Sequence, residues 1–187
     1  MDRHVFLALP LTLHVKEELF QLSERIKRTI AMSKWVHPQD YHLTLVFLGK
    51  ADDKKLEKLS SLIMNHVSCK PFMLRIQCLG SYGRPMQPRI LWAGIEKNAA
   101  LECLQSQLAE LCRKSGFQIE ERPFSPHITL ARTYDPEAEP LLKTVNELWP
   151  IPEKVIAAPA NHFVLFETVL GKEPKYHVMK TYPLKNS

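Results

Sequence analysis

The sequence predicts an α+β fold: two similar lobes in pseudo-symmetric duplication, each an antiparallel sheet backed by helices, with a central cleft between them. Three observations predict it. A strand, helix, strand, helix, strand-pair order occurs twice along the 187 residues, and one polar tetrad recurs at the matching place in each half. The composition, 45% hydrophobic and 24% charged, is that of a globular chain long enough to bury its own core.

Val5 to Leu9 is an apolar run that reads as a buried strand. Val15, Leu19, Leu22 and Ile26 then recur at helical spacing, and Tyr41 to Phe47 forms a second strand that stops at Gly49. Leu56, Leu59, Ile63 and Val67 give the next amphipathic helix. Two strands flank a turn-rich segment around Gly80, Gly83, Pro85 and Pro88, the second being Arg89 to Ala93.

The order then restarts. Leu101, Leu104, Leu108 and Leu111 line a helix ending near Gly116, and Ile128 to Ala131 is a strand. Leu141, Leu142, Val145 and Leu148 predict another helix, broken by the proline-rich stretch from Trp149 to Pro159. Phe163 to Phe166 and Tyr176 to Met179 close the chain as strands on either side of a Gly171-to-Pro174 turn. The registers of the halves agree: Phe6 lies 36 residues before His42, and Trp92 lies 35 before His127.

The net charge of +5 fits an anionic ligand such as RNA or a nucleotide, and equally fits a solvated basic surface. There is no signal-peptide pattern and no uninterrupted apolar stretch of about 20 residues, so a cytoplasmic protein without a membrane span is expected. Cys69, Cys78, Cys103 and Cys112 show neither a Cys-x-x-Cys pair nor zinc-finger spacing, and read as reduced thiols.

The recurring tetrads are His42-Leu43-Thr44-Leu45 and His127-Ile128-Thr129-Leu130. Random shuffling of this composition gives about 0.02 such tetrads, and the chain has one in each half. In a strand, alternate side chains share a face, so each His and Thr project together while the aliphatic pair packs on the helices. Residues two apart lie about 6.5–7 Å from each other, so both can reach one phosphate-sized group. Two histidines across a phosphate suit acid–base catalysis, with Thr44, Thr129 and Arg132 available to its oxygens. No acidic cluster accompanies them, so neither metal nor other cofactor is expected.

These motifs resemble the two-histidine (2H) phosphoesterases, specifically the bacterial RNA 2′,3′-cyclic phosphodiesterases once called 2′-5′ RNA ligases. The likeness extends through Trp35-Val36, Phe47-Leu48-Gly49, Arg89 to Gly94, Pro126 to Arg132, and Val164 to Glu167 with Tyr176. It implies that residues 1–187 form a single 2H phosphoesterase domain of two interleaved similar lobes. It also implies metal-independent opening of a 2′,3′-cyclic phosphate at an RNA end to a 2′-phosphate. His42 would be the proton donor, His127 the proton acceptor, and Thr44, Thr129 and Arg132 the phosphate contacts, with Phe47 a surface for base stacking. From the sequence the two histidines are equivalent; their roles rest on the resemblance.

The expected partners are RNA bearing such an end, tRNA fragments among them, or a nucleotide, bound by a monomer. Reverse reaction could join RNA through a 2′-5′ bond. Other readings keep the fold but act on a small cyclic or 2′-5′ linked nucleotide, or bind RNA without catalysis. The remaining histidines have no repeat partner and read as surface or core. Arg84 and Arg89 sit in the Gly-Pro loop, where solvent exposure outweighs RNA contact as a reading.

Overall fold

The computed structural model describes residues 3–148 and 155–185. The first half runs β1 (Arg3–Pro10), α1 (Leu13–Ile26), β2 (Met32–Trp35), a 3-10 turn (Pro38–Asp40), β3 (His42–Ala51), α2 (Asp53–His66) and β4 (Phe72–Arg84). The second runs β5 (Gln87–Ile95), α3 (Ala99–Lys114), β6 (His127–Tyr134), α4 (Val145–Leu148), β7 (Ile156–Ala160), β8 (His162–Thr168) and β9 (Tyr176–Pro183). Thr12, Asp52 and Asn98 start the three long helices by accepting the amides of Val15, Lys55 and Leu101, which would otherwise lack partners.

The strands form two antiparallel sheets, ordered β3-β1-β8-β9 and β2-β6-β5-β4-β7. Neither sheet is contiguous in sequence, so the two are interleaved along the chain. The repeat survives as β1-α1-β3 and β5-α3-β6: in each, a strand, a helix and the antiparallel partner carrying a His-Thr tetrad. One continuous core joins the helices to both sheets, taking Leu19 and Ile26 from α1, Leu104 and Leu108 from α3, Leu43 and Leu45 from β3, and Ile128 and Leu130 from β6. A smaller cluster of Phe6, Ala8, Val164 and Phe166, with Tyr176 against it, lies apart from that core.

Two elements differ from the sequence pattern. The helix over 141–148 shrinks to Val145–Leu148, and Leu142 is 97% exposed. Thr144 and Glu147 form a reciprocal cap in which the Thr144 amide and hydroxyl donate to the Glu147 carboxylate, so the helix starts only at Val145. The Leu141 amide is meanwhile committed to the Met86 carbonyl at the β4–β5 turn. Within the proline-rich stretch, Ile156–Ala160 is a strand, whereas residues 149–154 lie outside the described residues. Among the described residues that strand is an edge, pairing with β4, where a proline without an amide hydrogen is tolerated. Among the described residues no helix is long and apolar enough to cross a membrane.

Candidate active site

Strict alternation along β3 would put Phe47 on the opposite face from His42 and Thr44. A bulge prevents this: Thr44 pairs with Ala8, but the next pair is Val46 with Leu7, so Leu45 is an extra residue. Leu45 and Val46 are both buried, and Phe47 emerges on the histidine face, 62% exposed. Strand β6 carries the same bulge at the same offset. Thr129 pairs with Trp92 and Ala131 with Leu91, leaving Leu130 extra. Arg132 thereby joins His127 and Thr129 on one face. Phe47 and Arg132, each the fifth residue after its histidine, are thus structural counterparts. Lys34, directly opposite Arg132 on β2, places a second cation beside the same face.

The His42 ring is held from both nitrogens. Nδ1 lies 2.7 Å from the Asp40 carbonyl, which can only accept, so Nδ1 carries the proton and the neutral ring offers its lone pair at Nε2. The Thr44 hydroxyl, 3.1 Å from Nε2, donates to it. Phe6 and Phe166 pack on the imidazole with ring centroids 4.9 and 5.8 Å away, and Tyr176 meets it edge-on at 4.9 Å. This burial pushes the ring's pKa down to about 4, against a partial upward pull from Asp40 and further downward pushes from Lys16 and Arg132.

A stability prediction follows from the direction of that shift. The folded-state value lies below the unfolded value of 6.5, so between those limits the unfolded chain binds a proton that the folded chain refuses. Stability contributed by the neutral ring is complete above 6.5 and is lost as pH falls toward 4, by at most about 3 kcal/mol. Urea unfolding at pH 7 and pH 4.5 is expected to show this loss in the native protein and a smaller one in His42→Gln. Equal losses in both would remove His42 as its source.

His127 repeats the arrangement. Its Nδ1 donates to the Ser125 carbonyl at 2.7 Å, and Tyr82 stands edge-on at 5.2 Å, its hydroxyl 2.8 Å from Ser125 Oγ. Burial lowers this pKa too, and Arg132 adds to the effect. Trp92, 6.1 Å from His127 between ring centroids, lies against Gly80 and Gly94. A Cβ on either glycine would stand within 2.8 Å of the indole, so that floor admits no side chain. Beyond Arg132, Thr133 has φ of 62°, a left-handed backbone that a β-branched residue adopts only when its surroundings impose it.

Strands β3 and β6 meet where the sheets adjoin. Burial is the main cause of depression at both imidazoles, and the charge of Arg132 adds to each. Register puts Thr44 and Phe47 on the His42 face and Thr129 and Arg132 on the His127 face. Arg84 lies at the hairpin turn and Arg89 beside Ile90, the residue opposite Arg132, while Gly94, opposite His127, is at the other end of the same ladder. Among the described residues no group of three or more His, Cys, Asp or Glu side chains could hold a metal ion. Asp40, Ser125, Tyr82 and Tyr176 also belong to the site. The only sequence signal for the first two is their position two residues before each histidine.

The arrangement provides two imidazoles whose Nδ1 is committed to a backbone carbonyl, with Nε2 of His42 meeting a threonine hydroxyl, and register adds a second hydroxyl and a cation: the equipment for proton transfer on either side of a phosphoryl group. The model of the LigT-like phosphoesterase family matches residues 9–92 and 94–176. An RNA 2′,3′-cyclic phosphodiesterase of Geobacillus stearothermophilus is 37% identical over 97% of this chain, which spans 57% of that relative's length. One of Bacillus subtilis is 31% identical, over 97% of this chain and 96% of its own. In structure, E. coli LigT complexed with 3′-AMP superposes over the full length of both chains with a TM-score of 0.82 at 25% identity. A Thermus thermophilus protein shares the fold with a TM-score of 0.80 at 23% identity.

Proposed function

The chain belongs to the LigT-like phosphoesterase family, and on that premise we propose how its residues hydrolyse a 2′,3′-cyclic phosphodiester at the end of an RNA. The protein is a 2′,3′-cyclic phosphodiesterase, a phosphoric diester hydrolase. The observation that carries the reading is the pair of imidazoles on matching strands, each with Nδ1 tied to the backbone carbonyl two residues upstream, which leaves Nε2 for proton transfer.

The cyclic phosphate lies between the histidines, its non-bridging oxygens accepting hydrogen bonds from Thr44, Thr129 and Arg132. Thr44 gives up its bond to His42 Nε2 as the phosphate arrives. His127 Nε2 takes a proton from water, whose oxygen attacks phosphorus opposite O3′. The P–O3′ bond breaks, protonated His42 Nε2 delivers its proton to O3′, and a 2′-phosphomonoester remains. His127 ends protonated and His42 neutral, and exchange with solvent resets the pair. Lys34 offers a contact for a neighbouring phosphate of the RNA, and the exposed Phe47 ring offers stacking surface for a base. A 5′-hydroxyl in place of water would use the same residues to form a 2′-5′ bond.

The test is turnover of an RNA oligomer ending in a 2′,3′-cyclic phosphate, in excess EDTA, with the product resolved as 2′- or 3′-phosphate. Metal-independent formation of the 2′-phosphate is expected. A 3′-phosphate product, or turnover abolished by EDTA, overturns the mechanism. Turnover of the mononucleotide alone would move the substrate from RNA to a small cyclic nucleotide.

A further inference from the structure

Each imidazole has a carbonyl two residues upstream on its Nδ1 and a tyrosine edge-on to its ring. The two sides reach this by different chemistry. On the His127 side the anchor is neutral, Ser125 Oγ meeting the Tyr82 hydroxyl. On the His42 side it is Asp40, only 4% exposed, whose carboxylate accepts the amides of Lys175 and Tyr176, each at 3.1 Å, where β9 begins. An uncharged amide oxygen could accept those two hydrogen bonds as well. Burying a full charge is costly, so its retention calls for a use beyond the two amides.

Asp40 reaches His42 through its carbonyl on Nδ1, and its charge favours a proton on that ring. Around that ring stand Asp40, Lys16 from α1, Arg132 from β6 and Tyr176 from β9. Lys16 donates to the Gln39 carbonyl, and with Arg132 it opposes a proton on His42; Asp40 favours one. Among the described residues no carboxylate acts on His127 in this way, and Arg132 is the charge that does. The asymmetry absent from the paired motifs is therefore present in the residue behind each one.

We infer that Asp40 is a positioning residue that supports His42 as the proton donor, by easing the cost of its imidazolium with a buried charge and by holding Tyr176 against its ring. This rests on the acid–base roles proposed above. Once substrate is bound, the carboxylate offsets part of the cost of carrying a proton in an aromatic pocket.

The experiment pairs NMR titration of the His42 ring nitrogens with steady-state turnover of the cyclic-phosphate oligomer, in Asp40→Asn and Lys16→Gln. Asn keeps an oxygen for both amides, and continued exchange protection of Lys175 and Tyr176 verifies that the anchor holds. In Asp40→Asn, His42 is expected to titrate at lower pH, with kcat down about tenfold and KM within about twofold. Lys16→Gln is expected to move the titration upward and raise kcat above neutral pH. A His42 titration that moves in neither variant overturns the inference. So does an Asp40→Asn enzyme whose turnover is unchanged, or raised below pH 6 as it would be were His42 the base. If the native protein opens no cyclic phosphate, the functional reading fails on its own, while the titrations still decide whether the charge of Asp40 governs His42.

Discussion

Alanine at His127 or at His42 is expected to lower the turnover number for an RNA 2′,3′-cyclic phosphate end by about 10³-fold, each alone, with KM changed far less. The reasoning is stereochemical. Ring opening needs a proton removed from water on one side of phosphorus while another reaches O3′ on the opposite side, and each imidazole presents a single available nitrogen, Nε2. The neighbours on these two strands do not substitute: the threonine hydroxyls are poor bases, and Arg132 does not deprotonate. Because the two act in one step, the double variant should lose little more than either single one. Single-turnover rates, with thermal unfolding measured alongside, check this. A folded variant retaining more than about a tenth of native turnover would remove its histidine from the chemistry.

Arg132→Gln carries the second-largest expectation: a loss of about 10² in kcat/KM, only partly restored by Lys, which lacks the two-pronged geometry for phosphate oxygens. It makes a second claim with a definite sign. Burial is what chiefly holds both histidines below their ordinary range and the guanidinium adds to it, so its removal lets both titrate at somewhat higher pH. The whole pH–rate profile of the residual activity should move upward. A variant that loses affinity with its profile unmoved would place Arg132 on the RNA but outside the field of the histidines.

The paired tetrads were legible because a strand's period of two ties residue spacing directly to facing, and because they occur twice. The helices of α1, α2 and α3 were legible for the equivalent reason at 3.6. What escaped was whatever departs from those periods. Leu45 and Leu130 are ordinary aliphatic residues, and nothing in them announces an extra residue in the ladder, yet the bulges decide where Phe47 and Arg132 point. The short helix at Val145 had a visible signal, the Thr144–Glu147 cap, overshadowed by the leucines before it. Strand β7 was hidden by Pro159, since edge position is a property of the assembled sheet. Asp40 was hidden because its partners lie 135 and 136 residues away, in a turn that composition does not connect to it.

The match between Phe47 and Arg132 bears on how a polymer threads this site. A duplicated fold offers a ligand two equivalent ways in, head first or reversed, and a chain with distinct ends must be told which to take. Here the halves agree in their histidines, threonines and bulges and disagree five residues on, where one shows an aromatic plane and the other a cation. A nucleotide is unsymmetrical in the same sense, flat and apolar at its base and anionic at its phosphate. With the binding roles proposed for them, the mismatch would work as a vector, giving the strand a direction of travel that the twofold repeat alone leaves undetermined.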